Sequence, residues 1–148
     1  MSEIRFYHLQ NQSMEEALPA LLGKAYENGH RIIVKAPKEH IARLNDHLWT
    51  YRADSFLPHG AAKDGNAEHH PIWLTDEDDN PNNADLLILT HNLSASDMSA
   101  YKIICEIFDG RIEEDVAAAR ARWKEYKDKE YNLTYWQQSA SGGWEKKA

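Results

Sequence analysis

Two runs of unbroken apolar residues constrain the fold of this chain more than any other feature: Ile32-Ile33-Val34 within Arg31–Ala36, and Leu86–Leu89. A strand with one wet face alternates apolar and polar side chains; a strand without alternation is covered on both faces. Helical patterns separate these runs. A sheet covered on both faces by intervening helices is the α/β solution, with strands running mostly parallel in a three-layer α/β/α arrangement.

The remaining elements fit that scheme. Ile4–Leu9 carries aromatics in loose alternation and reads as a strand. Ser13-x-x-Glu16 behind it is a capping box, in which the hydroxyl and the carboxylate satisfy free amides at a helix start. Leu18, Leu21, Leu22 and Ala25 carry that helix onward, and Gly29 is placed to end it in a left-handed conformation. Pro19 falls too late for a first-turn proline and predicts a kink or a delayed start. A second helix is expected from about Lys38 to Trp49, with Ile41, Leu44 and Leu48 at helical spacing. Ser55–Gly60 reads as an apolar loop, Ile72–Leu74 as a short strand and Asp76–Asn83 as a solvated acidic loop. Tyr101–Phe108 reads as a strand, with a short helix across Asp97–Ala100 before it. Glu113–Glu130 is the clearest helix, acidic in its first turns and basic late, which suits the helix dipole. The expected organisation is one domain over residues 1–136, followed by a flexible Gly/Ser-rich tail over 137–148.

Charge and cysteine content narrow the function classes. Twenty-four acids against seventeen Lys and Arg give a net charge of −7, unlike a general duplex-DNA binder. A single cysteine, Cys105, allows no internal disulfide and fits a reducing, cytoplasmic setting. Residues 1–10 show no basic stretch leading into an apolar one, and the apolar run at Leu86–Leu89 is far too short to span a bilayer.

Each motif that could carry chemistry lacks a residue its reaction needs. Gln10–Ser13 follows the first strand where a dinucleotide fold carries G-x-G-x-x-G. Gly60 and Gly65 have P-loop spacing, but Asn66 and Ala67 stand where Lys and Ser/Thr would hold phosphate and magnesium. A metal site could use His59, His69 and His70, but adjacent histidines in a strand face opposite sides and rarely share a metal. Asp76-x-Asp78-x-Asn80 opens like a calcium loop but has Pro81 and Leu87 at the sixth and twelfth positions. Cys105 lies in an apolar segment and reads as a buried small hydrophobe. No cofactor, metal or catalytic group is expected.

The stronger signal lies between Ala117 and Trp136, where Arg120, Arg122, Lys124, Lys127 and Lys129 surround Trp123 and Tyr126. At helical spacing Ile112, Val116, Ala119, Trp123 and Tyr126 form one stripe, with Arg120, Lys124 and Lys127 on one flank. One reading makes Trp123 core and the bases a solvated rim whose stems cover it. The other makes a pocket in which Arg120 and Lys124 bind a carboxylate beside an apolar Trp123 wall, suited to an acidic peptide ending in a hydrophobic residue. Trp49, Phe56, Leu57 and Pro58 form a second candidate surface, either an interface anchor or a loop capping the core.

Three blocks of the sequence resemble the chi subunit of bacterial DNA polymerase III holoenzyme. They are Ile4–Leu9 with its following helix; Arg43–Trp49 continuing to Ser55-Phe56-Leu57-Pro58-His59; and Ala119–Tyr126 ending in Asn132–Trp136. The resemblance implies a non-catalytic accessory subunit with a nucleotide-binding-like fold and no nucleotide site. It also implies a link from the clamp loader to single-stranded DNA-binding protein, made by holding that protein's acidic, Phe-terminated C-terminal tail. By position Arg120 would take the tail carboxylate, Trp123 would wall the apolar pocket, and Val116 and Lys124 would lie beside them. Trp49, Phe56 and Pro58 match the surface for the psi subunit, which bridges to the clamp loader. A degenerate nucleotide-binding-fold enzyme and a direct single-stranded nucleic-acid binder are the competing readings.

Overall fold

The computed structural model describes residues 2–50, 58–61, 64–141 and 143–148, and for residues 49 and 50 the backbone alone. In chain order the elements are β1 (Glu3–Leu9), α1 (Met14–Glu27), β2 (Ile32–Lys35), α2 (Lys38–Thr50), β3 (His59–Ala61), β4 (Ile72–Thr75), β5 (Leu86–Leu89), β6 (Ile103–Asp109), α3 (Glu113–Asp128), β7 (Asn132–Gln138) and β8 (Trp144–Lys146). Among the described residues they form one eight-stranded sheet in the order β3-β4-β2-β5-β6-β1-β7-β8. Every pairing is parallel except that of β8 with β7.

The two runs without alternation are β2 and β5, which lie side by side in the middle of the sheet and are buried at every position. The crossovers explain the layers. The chain steps from β1 through α1 to β2, and from β2 through α2 to β3, in one direction along the sheet; β6 through α3 to β7 steps the other way. Right-handed crossovers of opposite direction put their helices on opposite faces. Accordingly Leu18, Leu22, Leu44 and Leu48 of α1 and α2 pack with Ile32, Val34, Ile88 and Ile107 on one side. Ala119 and Tyr126 of α3 pack with Ile4, Phe6, Ile104 and Phe108 on the other, with Tyr101 and the half-buried Ala95 and Met98 before β6 covering the same face.

Local signals set the helix ends. The Glu16 amide donates to Ser13 Oγ at 3.3 Å, and the Ser13 amide donates to the Glu16 carboxylate at 3.0 Å, closing the capping box. Gly29 follows the helix with φ of 85°, the left-handed region that glycine enters without a Cβ clash. The delayed start predicted at Pro19 does not occur: α1 begins at Met14 and continues past a buried Pro19 to Glu27. Ser13→Ala is expected to lower the unfolding free energy by about 1 kcal/mol, read by urea denaturation. An unchanged midpoint would show that water replaces the cap without cost.

Four further expectations are corrected. His59 and Gly60, placed in a loop, form β3; Gly60 has room for no side chain, because a Cβ would lie 2.8 Å from the His70 ring. No helix covers residues 97–100. The acidic loop is not merely solvated. Lys35, in the buried strand β2, donates to Asp78 at 2.5 Å and to the Ser94 carbonyl at 2.6 Å, so the loop neutralises a charge that the core could not otherwise hold. Asn82 from the same loop is buried and donates to the carbonyls of Ile32 and His70. Lastly, the segment expected as a flexible tail carries the eighth strand. β7 continues through Gln138, and Trp144 returns to pack edge-on against Tyr7, ring centroids 5.0 Å apart. Its Gly/Ser content describes the turn and hides the strand behind it.

Among the described residues no helix is long and apolar enough to cross a membrane.

Candidate functional site

In an open parallel sheet, ligands favour the crevice at the carboxyl ends of the strands where strand order reverses. Here β1 and β6 end side by side, and α1 and α3 leave in opposite directions. A crevice of about 230 Å³ lies there, lined by Ser13, Glu15, Arg43, His91, Asp109 and Asp115 among others. Its electrostatics oppose phosphate. Two of the amides at the start of α1, those of Ser13 and Glu16, are engaged by the capping box, and Glu15 adds a second carboxylate to that first turn. The first turn of α3 is Glu113, Glu114 and Asp115. Carboxylates occupy both helix termini whose partial positive charge a phosphate would need.

The histidines expected to be metal candidates stay apart in role. His59 is buried with Nε2 3.2 Å from the Asn45 carbonyl, His70 stacks on Trp73, and His69 is exposed. Among the described residues no three His, Cys, Asp or Glu groups come close enough to hold a metal ion. Cys105 is buried on β6, where burial pushes its thiol up to about 12, leaving no thiolate for chemistry at neutral pH.

The face of α3 is organised differently. Ala119 and Tyr126 are buried, Val116 and Trp123 half-buried, and Arg120, Lys124 and Lys127 exposed. Trp123 packs against the core and stays half-buried. One edge meets Phe6 (centroids 5.3 Å apart, planes at 75°) and the ring also meets Tyr135 of β7 edge-on at 5.8 Å. Phe108 and His8 complete the group, with His8 5.0 Å from Phe108 and its Nδ1 2.5 Å from the Tyr135 hydroxyl. Parallel register brings this about: Phe6 pairs with Tyr135 and His8 with Phe108, so all four point to the α3 side of adjacent strands.

The five bases of the Ala117–Trp136 stretch separate in the structure. Arg120 and Lys124 make no hydrogen bond or ion pair among the described residues, while Lys129 pairs with Glu125. Arg122 points inward, to the buried Glu106 of β6 and to Asn92. At 3.6 residues per turn Arg122 lies about 160° around the axis from Arg120. Arg122 is therefore a core brace rather than a member of the exposed flank. Arg120 is the charge that acts on the aromatic group: burial first, and then Arg120, hold the His8 imidazole below its ordinary value, with Asp109 pulling the other way. The Tyr135 phenol is raised by burial and drawn back by the same Arg120.

His8 and Tyr135 have no role in the sequence reading. Neither belongs to a helical stripe; only pairing of two strands distant in sequence joins them to α3. Gly110 makes room for His8, because a Cβ there would fall 1.9 Å from His8 Nε2 and 2.6 Å from the Leu9 carbonyl. Gly110→Ala is expected to push His8 aside and destabilise the fold by about 1–3 kcal/mol, measured by thermal unfolding. An unperturbed His8 resonance in that variant would contradict the packing described.

Of the second candidate surface, the backbone of Trp49 lies in the last turn of α2 and Pro58 is half-buried beside β3. Phe56, Leu57 and the Trp49 side chain lie outside the described residues.

Fold and site together define an α/β protein with nucleotide-binding-like topology, carboxylates at the helix termini of its crevice, and exposed cations on the α3 helix that packs against an aromatic group. A family model described as DNA polymerase III chi subunit, HolC, matches residues 1–134, and the chain belongs to that family. It is 34% identical over 90 residues to a probable DNA polymerase III subunit chi of Rickettsia prowazekii (strain Madrid E), across 60% of this chain and 54% of that protein. It is 27% identical over 144 residues to the DNA polymerase III subunit chi of Escherichia coli (strain K12), across 90% of this chain and 96% of that one. The chain thus spans about half the length of the first relative and nearly all of the second.

Proposed function

We propose that this chain is a non-catalytic accessory subunit of the DNA polymerase III holoenzyme that links the clamp loader to single-stranded DNA-binding protein by holding that protein's acidic C-terminal tail. The observation that carries the reading is Arg120, exposed, without a partner among the described residues, and three residues before the half-buried Trp123 on the same helix face. Arg120 would take the terminal carboxylate, Trp123 and Val116 would wall the final apolar side chain, and Lys124 would face the preceding acids. An unpaired guanidinium on an otherwise acidic body selects a short anionic peptide over the long polyanion of duplex DNA.

The psi subunit and the clamp loader behind it would dock through Trp49, Phe56 and Pro58. The β3 edge beside Pro58 and the β7 strand beneath Trp123 are six strand spacings apart, roughly 29 Å at about 4.8 Å per spacing. That separation lets one molecule hold two partners at once without collision, as a linking subunit must. Cytoplasmic location goes with this role.

Isothermal titration with a peptide of the host protein's tail tests the reading. Binding is expected with a free terminal carboxylate, weaker at high salt, and reduced at least tenfold when the terminus is amidated. Equal binding of the two peptides would reject a carboxylate site. Tight binding of nucleotides to the protein would instead favour an enzymatic reading, against the carboxylates that occupy both helix termini.

A further inference from the structure

The hydrogen bond between His8 Nδ1 and the Tyr135 hydroxyl, 2.5 Å long, sits beside Arg120 and is used neither by the fold's regular pairing nor by the tail site described above. A neutral imidazole has one ring proton. With that proton on Nε2, the Tyr135 O–H donates to Nδ1 and is spent. An imidazolium has a proton on both nitrogens. Its Nδ1–H must then donate to the Tyr135 oxygen, and the phenolic O–H is released to donate elsewhere.

We propose that His8 and Tyr135 are the second arm of the anion site: protonation of His8 frees the Tyr135 hydroxyl to donate to a peptide carboxylate held by Arg120, so that binding takes up one proton from solvent. The inference rests on the carboxylate reading of Arg120 given above and adds residues and a regulation to it. The bonds balance simply. A solvent proton joins the ring, the Tyr135–Nδ1 hydrogen bond reverses its direction, and one new O–H to carboxylate bond forms.

The groups that face His8 agree with a linkage of this sign. Arg120 from α3 disfavours the imidazolium in the free protein, and Asp109 at the end of β6 favours it. Asp109 is itself engaged by Arg111 at 2.9 Å, so Arg120 is the larger charged influence. Phe108 and Gly110 close the remaining sides with apolar and backbone atoms. A bound carboxylate neutralises Arg120 and places a negative charge beside the ring. The imidazolium, held down in the free protein by burial first and by Arg120 second, is less disfavoured in the complex. Protons are therefore taken up on binding, and affinity rises as pH falls from above the bound-state value towards the free-state one.

The test uses the whole chain and a synthetic peptide of two or more acidic residues ending in Phe with a free carboxylate, titrated between pH 8 and pH 6. Affinity is expected to rise on acidification by about tenfold for each pKa unit by which the peptide raises His8. Tyr135→Phe keeps the ring packing and the charge of the ring but loses the O–H donor, and is expected to bind with a shallower pH profile than wild type; His8→Gln is expected to bind with a flat one. The other histidines are common to all three proteins and cancel in the comparison. Imidazole resonances of His8 followed by NMR are expected to titrate at higher pH in the saturated complex than in the free protein. A wild-type pH slope retained in Tyr135→Phe, or a His8 titration unmoved by saturating peptide, would overturn the inference alone. Failure of the wild-type protein to bind the peptide at any pH would overturn both it and the carboxylate reading of Arg120.

Discussion

Arg120→Ala is expected to weaken binding of the acidic tail peptide by roughly tenfold to a hundredfold while leaving the unfolding midpoint unchanged. A hydrogen bond to a charged group contributes about 1.5–3 kcal/mol, and each 1.4 kcal/mol is about a factor of ten in affinity. Stability is expected to hold because the guanidinium is exposed and has no partner to orphan among the described residues. The measurement is peptide titration beside a thermal melt. Unchanged affinity would remove Arg120 from the site; a lowered melt would mean it braces the fold.

Arg122→Ala, only two residues along, is expected to do the opposite: to cost about 3 kcal/mol of stability, a fall in Tm of roughly 10 °C for a domain of this size. The Arg122 side chain is 13% exposed and that of Glu106 2%, and Glu106 Oε2 is buried with no hydrogen-bond partner. Removing the guanidinium leaves a carboxylate in the core with no cation to balance it and only the Tyr126 hydroxyl to favour its charged form. Burial raises Glu106 above the ordinary carboxylate value even in the intact protein, with Arg122 opposing. A carboxyl raised in the folded state binds its proton more readily there than when unfolded. Its penalty is absent below the unfolded value and grows as pH rises through the folded one. Denaturation of Arg122→Ala is therefore expected to show its largest deficit near neutrality and a smaller one towards pH 4.5. Adding Glu106→Gln is expected to restore part of the loss. A deficit equal at both pH values would mean that lost packing, not the stranded charge, is responsible.

These two arginines show what was legible in the sequence. Patterns with a fixed period were: the unbroken runs at β2 and β5, the Ser13/Glu16 cap and the α3 stripe from Val116 to Tyr126 each follow from one local rule and stand where expected, whereas Ile112, expected to begin that stripe, precedes the helix and is exposed. The angular rule also put Arg120, Lys124 and Lys127 on one flank. Other features depend on what lies across from a residue. Arg122 could be assigned only once Glu106 was known to face it from β6. His8 and Tyr135 meet through the pairing of β1 with β7, more than a hundred residues apart. The role of Asp78 became visible only with the buried Lys35 opposite it. The final strand was hidden for a different reason: a Gly/Ser-rich turn dominated the composition of a segment whose Trp144 carries the contact. The candidate site was thus half legible, its helix face from periodicity and its floor only from the sheet.

The anionic tail is expected to bind at the α3 face and not in the crevice at the strand ends. Titration of isotope-labelled protein with the tail peptide, followed by amide and indole resonances, locates the ligand directly. The largest shifts are expected at Val116, Arg120, the Trp123 indole, Lys124, His8 and Tyr135, with Glu15, Arg43 and His91 of the crevice unmoved. Shifts confined to the crevice, or none at saturating peptide, would contradict that placement.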